Sequence, residues 1–282
     1  MTGVVSSRRR FRSITTIVGA GLVTLVVVMA LVSFVWTPYD ATHVDSGHTL
    51  LKAGQHGHVL GTDNFGRDIF SQLLVGARVT LLVGIVAVAI SAVVGVPVGV
   101  LAAMRGGWMG EILMRGSDIV FAFPALLLAI LLAAAEGAST WTAMVAIGIA
   151  TMPVFARLAR ASTLQVMATD YVVAARAGGQ RRLAIARRHV LPNIAPVILV
   201  QASVAFGIAI LAEAALAYLG LSTRPPTPSW GRMLHDAQGY LFTAPRLSVW
   251  PGLAIALAVL GFNLLGDGLR DLLDPKLRDR GR

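Results

Sequence analysis

The chain of 282 residues is 56% hydrophobic and 13% charged, with a mean hydropathy of +0.73. Soluble domains carry about 25% charged residues, so the composition excludes an ordinary water-exposed globule and indicates a body embedded in a bilayer. There is no cysteine, which excludes disulfides and Cys-based metal or redox sites, and the net charge of +10 comes from arginines set between apolar runs, a pattern of membrane topology rather than of a nucleic-acid surface.

From the N-terminus, residues 1–13 form a basic segment carrying Arg8, Arg9, Arg10 and Arg12. Residues 14–36 then carry no charge. A helix needs about 20 apolar residues to cross the hydrocarbon core, and this run meets that length. It exceeds the about 7–15 residues of a signal-peptide core, so it is expected to stay as the first span. Further spans are expected at 79–104, 119–135, 141–156, 191–221 and 249–265. They make one all-α transmembrane domain over 14–270, followed by a cytoplasmic tail at 271–282. Eighteen of the 24 Lys and Arg then fall on the side of the two termini and six on the other. The positive-inside rule makes both termini cytoplasmic. Pro97, Pro124 and Pro153 lie in or beside spans, where each removes a backbone donor and can kink its helix.

The first outer segment contains Gly61, Thr62, Asp63, Gly66, Arg67 and Asp68 just ahead of the second span. Glycines beside adjacent opposite charges suit a tight, self-bonded turn. Contact with an extracytoplasmic binding protein, or shaping of an outer gate, is the other reading. His56 and His58 are expected to be solvated loop residues.

The inner loop, 157–190, carries more structure. Thr169 or Asp170 can cap a helix and Gly178–Gly179 can close it, which gives about two turns. Tyr171, Ala174, Ala175 and Gly178 fall at i, i+3, i+4 and i+7, on one face. That face is small except for Tyr171, a shape that enters a groove on a partner. A solvated basic loop beside anionic headgroups is the alternative. Leu183 and Ile185 among Arg181, Arg182, Arg187 and Arg188 form a second amphipathic segment, and Pro192 sits where a helix can restart in its first turn.

Glu213 lies inside the fifth predicted span, where a carboxylate costs about 2.5–3.5 kcal/mol on insertion scales. It is expected to face a translocation path or to make an interhelical hydrogen bond. No phosphate-binding G-x-x-x-x-G-K-[ST] run, zinc-binding H-E-x-x-H or G-x-S-x-G elbow occurs. No catalytic or metal site is expected, and any ATP-derived energy has to come from another subunit.

Several of these stretches resemble a known family. V-A-A-x-x-x-G, followed by Leu191–Pro192, is similar to the EAA loop of permease subunits of bacterial ABC importers, with the correspondence falling on Ala174, Ala175, Gly179, Leu191 and Pro192. Val173 departs from it, since the family usually has Glu there. The run L-G-T-D-N-F-G-R-D ending at Asp68, the segment from Glu213 to Gly231 and the segment from Phe262 to Pro275 resemble dipeptide and oligopeptide permeases, nearest to the shorter, DppC/OppC-type member of the pair. The resemblance implies six helices in the type I permease fold within a bacterial inner membrane. It implies a homologous second permease, two ATPase subunits or domains that hold ATP and Mg, and an extracytoplasmic binding protein delivering di- or oligopeptides. Taken together with the spacing of the loop, it leads to an expected ATPase-coupling set of Asp170, Tyr171, Val173, Ala174, Ala175, Gly178, Gly179, Leu191 and Pro192. Related permeases serve nickel, glutathione or haem. Outside this class, a proton-coupled carrier would need several buried ionisable groups, and Glu213 is a single one. An intramembrane enzyme would need a buried catalytic pair.

Overall fold

The computed structural model describes residues 3–273, with side chains over 14–272. The predicted tail at 271–282 falls outside the described residues except for its first three positions. The path runs α1 (Gly3–Val35), α2 (Ile69–Arg105), α3 (Gly107–Ala122), α4 (Ala125–Glu136), α5 (Thr140–Met167), α6 (Asp170–Ala177), α7 (Arg182–Ile185), α8 (Leu191–Tyr218), α9 (Trp230–Asp236) and α10 (Arg246–Leu273). Among the described residues there is no strand, only an isolated antiparallel bridge between Thr62 and Asp68. Five helices are long and apolar enough to cross a bilayer, and α3 with α4 makes a sixth if that bent pair is one span.

The third predicted span, 119–135, is not one straight helix. α3 and α4 meet at 83°. Pro124 is the physical cause: its ring disfavours helical geometry in the residue before it, and Phe123 is extended at φ −81, ψ 124. Other helices outrun their apolar stretches. α2 begins at Ile69 because Asp68 caps it there. Arg78 does not end it, since its guanidinium donates to Ser33 Oγ and stacks 4.0 Å over the Phe34 ring of α1. α5 continues to Met167 past Arg157, whose Nη2 donates to Asp118 Oδ1 on α3 at 3.1 Å.

The helices pack through small residues, as expected where lipid removes any hydrophobic drive between helices. α2 lies on α5 through Ala87, Ser91, Gly95 and Gly99, and Ser91 Oγ donates across to Gly148 O at 2.8 Å. Large apolar side chains such as Val93, Ile85 and Leu199 are left exposed, on surfaces that suit lipid contact. Three buried clusters follow along the bundle. One joins α1, α2, α8, α9 and α10 around Val26, Ile69, Ile210, Trp230 and Phe262. A second joins α2, α4, α5 and α8 around Val83, Ala129, Met144 and Leu216. The third, at the arginine-rich end, holds Val100, Val172, Ile185, Val190 and Ile194.

Candidate functional site

At the arginine-rich end, α5 hands over to α6 through Ala168 and Thr169. Thr169 occupies the N-cap position, yet its hydroxyl donates back to Val166 O at 2.6 Å and makes no capping bond. The expected cap residue is therefore in place, but its hydroxyl is bonded back to the last turns of α5. Asp170 stands in the first turn of α6, where its charge suits the helix dipole. The C-terminus closes as a Schellman motif: Gln180 N–H donates to Ala175 O and Gly179 N–H to Arg176 O, both at 3.1 Å. Gly179 takes φ +77, the left-handed conformation such a closure needs.

The predicted small face is on the surface. Tyr171, Val173, Ala174, Gly178 and Gly179 are exposed, with Ala175 half-buried at the edge. Opposite them Val172 is fully buried in the third cluster, against side chains of α2, α5, α7 and α8. The sequence pattern passed over Val172, because an eight-residue helix with apolar residues on both sides gives no clear period. α8 begins with Pro192 in its first turn, as the sequence suggested, but follows α7 without a break. Pro192 has no N–H for the Arg188 carbonyl, and the turn before it widens, so that Leu191 N–H reaches Ala186 O. Leu191 and Pro192 themselves are exposed. Of the amphipathic pair, Ile185 is buried and Leu183 is 70% exposed.

At the opposite end, residues 61–68 form a self-bonded turn. Asp63 is its centre: Oδ1 accepts from the N–H groups of Phe65 and Arg67 at 2.8 and 2.9 Å. Its Oδ2 accepts from Arg67 Nε at 2.7 Å and Gln72 Nε2 at 3.0 Å. Arg67 reaches on to Asp236 Oδ2 of α9 at 3.0 Å, and Asp236 also faces Arg232 Nε at 3.0 Å. Thr62 Oγ1 accepts from Leu51 N–H at 2.9 Å. Asp68 accepts from Ser71 N–H and Oγ, both at 2.7 Å, and faces His58 Nδ1 at 2.9 Å. His58 is thus not a solvated loop residue; it is buried and stacked 4.2 Å from Tyr39. His56 turns away towards His48. In the same exposed loop, the His48 ring and then Gly47 N–H hold the Asp45 carboxyl below its usual range. The polar groups of Asp63 and Asp68 therefore face inward, and the turn ties the loop before α2 to α9. Asp236 lies 169 residues from Arg67, beyond the reach of a local pattern.

Glu213 is 1% exposed, near the C-terminal end of α8. The hydroxyls of Ser229, Ser222 and Thr223 surround its carboxyl, with Ser222 Oγ at 3.4 Å. It anchors the loop that follows α8. Glu213→Gln, which keeps an acceptor, should leave the unfolding midpoint in detergent close to native. Glu213→Leu strands the hydroxyls and should cost about 1–3 kcal/mol. A stable Glu213→Gln protein that has lost transport would instead mark a path residue.

The sequence pattern of the family described as "binding-protein-dependent transport system inner membrane component" matches residues 95–279, which include α6, Glu213 and α10. The chain belongs to this family. The glutathione transport system permease protein GsiD of Pectobacterium atrosepticum is 42% identical to this permease over 271 residues, 96% of this chain and 90% of that one. The dipeptide transport system permease protein DppC of Alkalihalophilus pseudofirmus is 40% identical over 262 residues, 93% of this chain and 86% of that one. Among solved structures, inward-facing MetNI methionine ABC transporter matches with a TM-score of 0.60 at 20% identity, covering 72% of this permease and 97% of that chain. That likeness speaks to the fold alone. The permease is an all-α, multi-pass membrane protein of the ABC importer type.

Proposed function

We propose that this permease pairs with a homologous second permease in a bacterial inner membrane, with its arginine-rich end in the cytoplasm, and imports short peptides. Two ATPase subunits or domains hold ATP and Mg, and an extracytoplasmic binding protein delivers the cargo. The observation that carries this reading is α6: a small exposed face presented outward and one buried side chain, Val172, keyed into α2, α5, α7 and α8. A push on such a helix passes to the spans as a rigid-body shift, because a packed cluster moves as a unit. Peptide cargo is supported by the dipeptide and glutathione permeases among its relatives, glutathione being a tripeptide.

The test has two parts. The reconstituted complex with its binding protein should hydrolyse ATP faster with di- or tripeptides than with nickel or haem; stimulation by nickel or haem alone would overturn the peptide assignment. Ala174→Arg places a long charged side chain on the small face and should abolish ATPase association while the permease still inserts. Retained co-purification and transport would refute docking at α6.

A further inference from the structure

Five arginines lie on α6 and in the stretch that follows it. Arg176, Arg181, Arg182, Arg187 and Arg188 are all exposed, and Asp170 is the single exposed acid on α6. None of the five makes an ion pair among the described residues. Unpaired arginines at the inner end of a membrane protein have two natural counterparts: lipid phosphates and the carboxylates of a protein.

Position separates the five into two groups. α7, the widened turn and α8 form one continuous helix from Arg182 to Tyr218. It carries no charge from Val190 to Ala212, which would set Arg187 and Arg188 at the level of the headgroups. Arg182 lies about 13 Å further along the axis from Leu191. A headgroup layer is about 5–8 Å deep on each side, taken from the difference between full bilayer and hydrocarbon thickness. With the helix set along the bilayer normal, Arg181 and Arg182 would reach beyond the phosphates, next in the chain to exposed Leu183 and to the Schellman turn of α6.

We propose that Arg181 and Arg182, with Arg176, read a rim of Asp and Glu carboxylates around the groove of the ATPase subunit that receives α6, while Arg187 and Arg188 serve the headgroups. This rests on the reading that α6 docks an ATPase. It adds the chemistry of the partner: an apolar groove floor for Tyr171, Val173 and Ala174, and an acidic margin. Val173 fits that arrangement. A glutamate there would stand one turn from Arg176 and offset part of its charge; valine leaves that charge whole and puts apolar surface on the groove floor. Charge at an interface margin acts on encounter and selectivity and is screened by salt, with a Debye length of about 8 Å at physiological ionic strength.

The experiment uses the whole complex, permease pair plus ATPase subunits, in nanodiscs of neutral lipid and of lipid containing anionic phosphatidylglycerol. ATPase dissociation is measured at low and high salt for the native complex, R181E/R182E, R187E/R188E and Ala174→Arg. R181E/R182E should weaken association about tenfold or more at low salt, in both lipids, and the difference should shrink at high salt. R187E/R188E should have the smaller effect. Association of R181E/R182E equal to native, with Ala174→Arg still releasing the ATPase, leaves docking intact and overturns the acidic rim. A defect confined to anionic lipid also overturns it, since the arginines would then be reading headgroups. Unchanged association in Ala174→Arg as well removes the docking reading on which the proposal stands.

Discussion

Gly66→Ala is expected to prevent folding of the outer turn. Gly66 takes φ +78, and a Cβ there would strike the backbone carbonyl of Asp45. The two segments are held together by Asp45 N–H donating to Phe65 O at 3.1 Å, so neither strand of backbone can retreat without breaking the turn. Left-handed strain alone costs about 1 kcal/mol for alanine, and the backbone collision adds to it, for a total of about 3 kcal/mol or more. Gly54→Ala isolates the first contribution: Gly54 takes φ +82 but its Cβ would meet open space. It should lose only about 1 kcal/mol. Unfolding midpoints in detergent and the yield of inserted protein separate the two variants. Equal midpoints for Gly66→Ala and Gly54→Ala would show that the turn is looser than its hydrogen bonds indicate.

Val172→Asp is expected to release α6 from the bundle without unfolding the spans. Val172 is wholly buried among the apolar side chains of Val100, Ala159, Ile185, Val190 and Ile194. The substitution removes about 1.5–3 kcal/mol of burial and leaves a carboxylate without a partner, for a loss of about 3 kcal/mol or more. An eight-residue helix cannot hold itself together in water, so tertiary anchoring is what maintains α6. Trypsin should then cut at Arg176, Arg181 or Arg182 far faster than in the native protein. ATP hydrolysis should lose its dependence on cargo. Native protease resistance together with full coupling would show that Val172 is not the anchor. Because the other two clusters do not include Val172, insertion and span packing should persist.

How much of this was legible in the residues depends on the range of each interaction. The Schellman closure at Gly178–Gly179 and the length of α6 follow from neighbours in sequence, and the structure has both where the pattern placed them. The bend at Phe123–Pro124 was half legible: Pro124 announced a possible kink, but apolar residues on both sides read as one span. Thr169 was a candidate cap by type, and its hydroxyl found a nearer carbonyl at Val166. His58 carried no local sign of burial, because Tyr39 and Asp68 reach it from different parts of the loop. For Asp236 the only sign was Arg232 four residues earlier, which marks a helix and not a partner.

The sequence by itself determined that this protein lives in a bilayer, which end is basic, and where a short small-faced helix interrupts the arginine-rich loop. Those properties depend on composition and on spacing within a few residues, where the solvent and the backbone set the rules. Only the tertiary structure decided that Val172 is the side chain tying that helix to the spans, that Arg67 ties the loop before α2 to α9 through Asp236, and that Glu213 is enclosed by hydroxyls of the following loop. Each of these is a contact between residues that meet only once the helices have packed. A buried carboxylate or a lone valine has the same appearance in sequence whichever neighbour receives it.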